Sequence, residues 1–546
     1  MQPGMMACSC VGAPKALPWR TSATTPPALR RSGRSDPPAF VDEFLAGYAA
    51  KVEFFLEDVC GLMTHAGAEE PARQCANLLI RHCSSAKAAH LLRILPPAAT
   101  AAMSASIDTA VSAAFARVSD LSDADVVQAM PRIAFPLDQG GVGLRSLSGV
   151  RHVAFVASWL HCAAGVCAGL GGALPALRSW LDPALAQQRA VHDAVDHLGR
   201  EYGVDPLQVA GCGWVDFAAR SRAKTQRPIN RAVQMITYTR WAAHADQREL
   251  QIRASSSCEG LRPGASDWLL AFPLEPALCL YDEAYLLALR LRLGLRLASE
   301  GDCCHVFNQS TRAACGRPLT LHADHAPGCA MSARNAGHNA LRDWFAGVLR
   351  ASGARALTEQ SVAEYAPAVP LRADIRAIHS PGSPVVYYDV VIAHPFTTGV
   401  PQGVCGRPHS AHPDPDAAIT RAETDKRRDY RAPAGLAAVG FVPLAWDTFG
   451  RWGDAAAAAL RNAARARLRR PDARQAVRAR GAFARLLTRW RAAGAIALQT
   501  RNYEVYRDCL APSGASTTAP RGPPESSAPV PLCDSMSGVL IGSAIF

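Results

Sequence analysis

Between positions 303 and 329 the chain gathers Cys303, Cys304, Cys315, His322, His325 and Cys329. No other stretch limits the possible folds as strongly. Zinc needs about four thiolate or imidazole ligands in a tetrahedron, and short loops can supply them. Cys304, Cys315, His325 and Cys329 form the preferred set; Cys303 can replace Cys304, and His322 can replace His325. The spacing is less regular than paired C-x-x-C motifs. The competing reading is idle or buried thiols with surface histidines, and four thiols on one short polar stretch weigh against it. The other cysteines are scattered, and the total of 17 is odd, which argues against a secreted disulfide scaffold and for a reducing compartment.

At 546 residues the chain can hold two or three domains with real cores. Charged residues make up 19%, in the range of folded globular proteins rather than disordered ones. The expected fold is α+β and multidomain. Residues 1–38 read as a disordered tail rich in Pro, Ser, Thr and Arg, with a transit peptide as the lesser alternative. Residues 39–298 read as mostly helical, 299–335 as a zinc knuckle and 336–452 as an α/β core. An Arg-rich helical extension follows at 453–510, and a second disordered tail at 511–546.

Within that plan, three- and four-residue apolar spacing predicts helices over 40–63, 88–95 and 98–118, with Pro96-Pro97 as a break. The glycines of 135–144 predict a turn, because they permit backbone angles other residues avoid. The uncharged stretch 153–177 is long enough to span a bilayer, but its Ala/Gly content favours a buried core helix. A second helical block is predicted over 206–297. Further on, Leu341, Trp344, Phe345, Val348 and Leu349 share one face of a helix over 340–351. Strands are predicted over 371–379, 385–394 and 436–444. Residues 399–416 read as a loop, 417–431 as a charged helix, and 454–494 as an Ala/Arg helix broken at Pro471.

The first two strands flank the turn Ser380-Pro381-Gly382-Ser383-Pro384, and Asp374 and Asp389 stand about equally far from it. In an antiparallel hairpin of that register the two carboxylates face each other on one side. Opposed carboxylates repel unless a cation lies between them, and a hard ion such as magnesium prefers carboxylate oxygen. The alternative is an exposed hairpin whose aspartates pair with Arg372 and Arg376. Lys426 and Tyr430 lie four residues apart on one helix face, and a lysine beside a metal-bound water can orient it and stabilise developing charge. Glu359, placed at the end of the helical region, can support the metal. Each of these three, taken singly, is more often a solvated surface residue.

The net charge of +12, mostly from arginine, suits a polyanionic partner. The arginine series over 461–491 reads equally well as a phosphate-contacting helix or as a solvated face.

Taken in order, the Cys/His cluster, His338-Asn339-Ala340-Leu341-Arg342-Asp343, Glu359, Arg372-Ala373-Asp374-Ile375, Tyr388-Asp389-Val390 and Lys426 with Tyr430 form a pattern. It resembles the C-terminal part of non-LTR retrotransposon polyproteins that carry a restriction-enzyme-like endonuclease of the PD-(D/E)xK type. The upstream segment, with Leu91-Leu92-Arg93, Asp108 and the 140–144 glycine break, is similar to the thumb region that follows the polymerase in such elements. The resemblance covers roughly residues 40–450, and its most specific motifs fall between 304 and 430. It implies structural zinc, catalytic magnesium at Asp374 and Asp389, and supporting roles for Glu359, Lys426 and Tyr430. It also implies nucleic-acid contacts from His338, Asn339 and Arg342, with DNA and element RNA as partners, a nuclear location and no membrane. Three departures stand out. Gly337 replaces an arginine, Ala373 replaces a proline, and no Tyr-x-Asp-Asp polymerase motif occurs. Reverse transcription is therefore not expected, and the chain reads as a truncated element or a piece of a longer frame. A catalytically inactive nucleic-acid-binding remnant and a zinc-stabilised interaction module are the competing classes.

Overall fold

The computed structural model describes residues 37–511, apart from 66–69, 170–185, 210–225, 258–263, 309–312, 330–333, 363–371, 381, 397–413, 432–439 and 471–480. It is a mixed α+β structure: many helices and one four-stranded sheet. No helix among the described residues is long and apolar enough to cross a membrane. Residues 1–36 and 512–546 of the predicted tails, the 399–413 part of the loop and the break at Pro471 lie outside the described residues, and Pro37 and Pro38, predicted as tail, already belong to a helix.

The longer helices of the first half are α1 (Pro37–His65), α2 (Ala72–Leu79), α3 (Ala101–Val118), α4 (Asp123–Ala134), α5 (Leu147–Gly169), α6 (Ala186–Tyr202), α7 (Gln226–Ala242), α8 (Gln247–Ser256) and α9 (Asp282–Arg292). Their start points follow local chemistry. Ser122 and Asp125 cap α4 reciprocally, each side chain accepting from the other's backbone N–H, and Asp246 with Glu249 does the same for α8. The predicted turn is present. Gly140 has φ +83° and lies so close to Arg253 O that a Cβ there would fall 2.5 Å from it. The block predicted as continuous helix over 206–297 is instead interrupted. Asp246 starts a fresh helix after Ala242, and 271–281 runs as loop around a short turn at Pro276–Leu278. The apolar helix α5 packs against α6 and α7 in a small core of its own, with Val153, Phe155 and Leu160 buried.

The second half contains β1 (Phe307–Asn308) and β2 (Ala313–Ala314), then α10 (Arg334–Ala351), β3 (Arg355–Ser361), β4 (Arg372–Ile378), β5 (Val385–Ala393), α11 (Ala417–Arg431), β6 (Gly440–Asp447), α12 (Asp454–Arg469) and α13 (Ala482–Leu510). The sheet order is β3-β4-β5-β6, antiparallel except for the parallel pair β5–β6. The helix face read from Leu341, Phe345, Val348 and Leu349 is buried, and it packs on Ile375, Tyr388, Val390 and Trp446 of the sheet. The helix α11 packs against β5 and β6. β3 was not among the predicted strands. Glu359 therefore does not end a helical region: it sits within an edge strand, at φ +54°.

Two features lock the halves together. Arg248 of α8 makes two 2.7 Å bonds to Asp324. The same carboxylate lies 3.4 Å from His394 Nε2 just past β5, and His394 Nδ1 is 2.8 Å from Thr448 Oγ1. The other is α13, which contributes Ile496 to the helical core, Trp490 to the sheet core, and Tyr506 to the Cys/His region. Arg489 and Arg491 of α13 are paired with Glu275 and Asp267. For these two, the arginine series is neither a phosphate-contacting helix nor a solvated face; it docks one half on the other.

Candidate metal centres

The short β1–β2 hairpin shapes the Cys/His site. Cys315 N–H donates to Val306 O at 2.9 Å, Cys304 N–H to Arg317 O at 2.8 Å, and Gly316 N–H to Cys304 O at 2.9 Å. The hairpin thereby brings Cys304 and Cys315 to one end. A 3-10 turn at Ala326–Gly328 returns His325 and Cys329 to the same point. One ligand atom from each of Cys304, Cys315, His325 and Cys329 lies within 4.8 Å of the others, a set that can hold a metal such as zinc.

The geometry resolves both alternatives. His322 lies with Nδ1 3.2 Å from Leu295 O, and Cys303 Sγ turns toward Gly301 O. Burial lowers the His325 imidazole below its ordinary range, with Arg317 adding to the effect, so the ring is neutral as a ligand must be. Burial pushes the Cys304 thiol up to about 12. Burial also acts on Cys315, but the Arg317 N–H and bonds to Cys329 and Cys304 outweigh it and hold its thiol below the usual value. A fifth thiol, Cys509 at the end of α13, is fully buried with Sγ 3.3 Å from Cys304 Sγ. Nothing local in the sequence pointed to it.

The second centre lies on the β4–β5 hairpin. Ile375 pairs with Tyr388 and Ile378 with Val385, which sets Asp374 against Asp389 as the equal spacing predicted. Both are buried, at 9% and 4% exposure, so a solvated pair is ruled out. Arg372 pairs with Glu359, not with an aspartate.

Three of the four carboxylate oxygens take a hydrogen bond, and Asp389 Oδ2 meets an ammonium by charge alone. Asp374 Oδ1 is 2.8 Å from His338 Nε2, and Oδ2 accepts from Val390 N–H at 2.6 Å. Asp389 Oδ1 accepts from Tyr430 OH at 3.1 Å, and Lys426 Nζ is 2.5 Å from Oδ2. The single Tyr430 proton is shared between Asp389 Oδ1 and Arg372 O, 2.7 Å away, so α11 is pinned to the start of β4.

The charges divide unequally. Burial raises Asp374, but His338 and the Val390 N–H outweigh it and its pKa lies below the ordinary value. Burial and the neighbouring Asp374 push Asp389 up to about 6 against the pull of Lys426. The pair is thus unequally ionised, with His338 offsetting the charge of Asp374 and Lys426 that of Asp389.

No protein-family model matches this chain, and no curated protein does.

The remaining candidates fall beside this centre. Glu359 lies on β3 between the pairs Thr358–Ile375 and Gln360–Ala373, and its side chain is held by Arg342 and Arg372. Arg342 also donates to Asn339 and Asp343 and is 8% exposed. Of the residues predicted from the sequence, Asp374, Asp389, Lys426, Tyr430 and His338 converge on one site. Glu359, Arg342 and Asn339 form an adjacent cluster.

Proposed function

We propose that this chain is a retrotransposon-derived nucleic-acid-binding protein with a magnesium-dependent endonuclease that nicks target DNA, without reverse transcriptase activity. The carrying observation is the convergence of Asp374 and Asp389, from the two strands of one hairpin, with Lys426 from a later helix. Under this reading, residues 39–298 are a thumb-like remnant, 299–335 a zinc knuckle and 336–452 the restriction-endonuclease-like unit. The segment 453–510 is the extension that docks them. The zinc site stabilises the knuckle, DNA is the main partner and element RNA a second, and the site of action is the nucleus.

Asp374 and Asp389 would hold the magnesium. When bound, the ion supplies Lewis-acid stabilisation of the phosphate and lowers the pKa of a coordinated water. Lys426 brings its ammonium to the edge of the pair, where it can orient the attacking water oxygen and stabilise charge on the phosphate. Tyr430 fixes Asp389 through its hydroxyl, so that the carboxylate does not have to reorganise during the reaction.

The test is the full chain, loaded with zinc, incubated with supercoiled plasmid and magnesium beside the Asp374→Ala/Asp389→Ala double variant. Nicking by the wild type that vanishes in the variant supports the reading. DNA binding by both without nicking identifies an inactive binding remnant. Neither binding nor nicking removes nucleic acid from the account and leaves the Cys/His module alone.

A further inference from the structure

His338 belongs by sequence to a motif read as contacting nucleic acid, yet its imidazole turns inward. It stands on the first turns of α10, one turn before Arg342, so the two side chains leave the same helix face. Arg342 is spent on Glu359 and Asn339, and His338 on Asp374 Oδ1 at 2.8 Å. The other oxygen of Asp374 takes the Val390 N–H at 2.6 Å. The carboxylate is thereby held at both ends and cannot rotate about its last bond. A carboxylate oxygen has two lone pairs, so each still has one to offer a cation.

On the opposite carboxylate, Tyr430 hydrogen-bonds Oδ1, and Lys426 meets Oδ2 as an ion pair outside hydrogen-bond geometry. His338 is therefore the fourth member of a frame in which every oxygen of the aspartate pair faces one protein group, three by hydrogen bond and Asp389 Oδ2 by charge alone. We infer that His338 is a positioning residue of the divalent-metal centre, orienting Asp374, and is not a nucleic-acid contact. Groups of this kind around a metal commonly change affinity roughly 10- to 100-fold when removed. This inference rests on the proposal that Asp374 and Asp389 take a divalent ion.

The experiment uses the full zinc-loaded chain and manganese as the probe, with bound ion counted by electron paramagnetic resonance. Plasmid binding is measured separately with no divalent ion added beyond the resident zinc. His338→Ala should weaken manganese binding roughly 10- to 100-fold while leaving DNA affinity unchanged. His338→Gln, whose amide N–H can still donate to Asp374, should recover most of the loss, and it carries the test if the alanine variant does not fold. Manganese binding by His338→Ala equal to wild type, or a loss of DNA affinity in both variants, overturns the inference. Wild type that binds manganese but never nicks defeats the nuclease reading and leaves the role of His338 standing. Wild type that binds no manganese overturns both.

Discussion

Cys509 Sγ lies 3.3 Å from Cys304 Sγ, although 205 residues separate them. The last turn of α13 is also tied there through its backbone, since His305 N–H donates to Cys509 O at 2.9 Å. The Cys/His centre thus closes on the same helix that joins the helical and sheet cores. Without metal, burial keeps Cys304 and Cys509 protonated, with pKa values pushed up to about 12 and about 11. Metal binding must expel the Cys304 proton, and the energy gained is folding energy. Metal analysis should find one zinc per chain here. Cys304→Ser and Cys329→Ser should lose it, and Cys509→Ser should keep it, because the other four ligand atoms are already grouped. The Cys509→Ser chain should still be less stable by about 1–3 kcal/mol, the usual cost of burying a poorly satisfied hydroxyl. Chelation of zinc should expose Cys509 to alkylation, read by mass spectrometry.

Lys426 and Tyr430 share one carboxylate but should fail differently. Removing the Lys426 ammonium leaves Asp389 with less to offset burial and the charge of Asp374, so Lys426→Ala should abolish nicking while plasmid binding persists. Tyr430→Phe deletes a hydroxyl whose one proton is shared between Arg372 O and Asp389 Oδ1. A loss of about 1–3 kcal/mol in denaturant midpoint experiments is expected, with nicking reduced rather than abolished. Equal effects of the two variants on nicking would separate neither role and would contradict the assignment of Lys426 to the water.

The hairpin and its facing aspartates were legible because strand register follows from distance to the turn, a purely local quantity. The α10 face was legible for the same reason, since helical period places Leu341, Phe345 and Val348 together. Strand β3 was not. Its Arg-Ala-Leu-Thr-Glu-Gln-Ser sequence lacks a strong apolar alternation, and it is held as an edge strand by β4. Contacts made over long separations were equally hidden: Cys509 against Cys304, Asp324 between Arg248 and His394, and Arg491 against Asp267. The inward turn of His338 depends on how α10 lies across the sheet, which its own residues do not specify. The zinc ligands were legible as a group, and the choice among them came only with the hairpin.

The pH dependence follows from Asp389. Its pKa in the fold is raised to about 6, above the ordinary carboxylate range near 4. Below about pH 4 the group is protonated folded or unfolded and contributes nothing. Between about 4 and 6 the fold holds a proton that the unfolded chain has released, so the metal-free protein loses stability as pH rises through that window. A divalent ion needs the ionised pair, so its stabilising effect should grow across the same window. Thermal melts with and without manganese from pH 4.5 to 7.5 should show a widening gap up to about pH 6–7 and a plateau above. In Asp389→Asn the gap should be small at every pH. A wild-type gap that narrows as pH rises would contradict the assignment.

Two helical glycines give opposite expectations for the same substitution. Gly347 on α10 has nothing within 4 Å of where a Cβ would stand. Alanine there costs no space and removes the entropic penalty of glycine in a helix, so Gly347→Ala should stabilise by about 0.5–1 kcal/mol. Gly494 on α13 lies under Trp344, where a Cβ would sit 2.7 Å from the indole edge. Trp344 has little freedom to yield, because it stands edge-on to Trp446 at 6.3 Å and to Trp452 at 5.8 Å. The clash should outweigh the gain in helix propensity, so Gly494→Ala should destabilise by about 1–3 kcal/mol. Since α13 joins the two cores at this point, the loss should appear in both melting and urea unfolding. Stabilisation by Gly494→Ala would mean that α10 and α13 do not approach as closely as Trp344 over Gly494 requires.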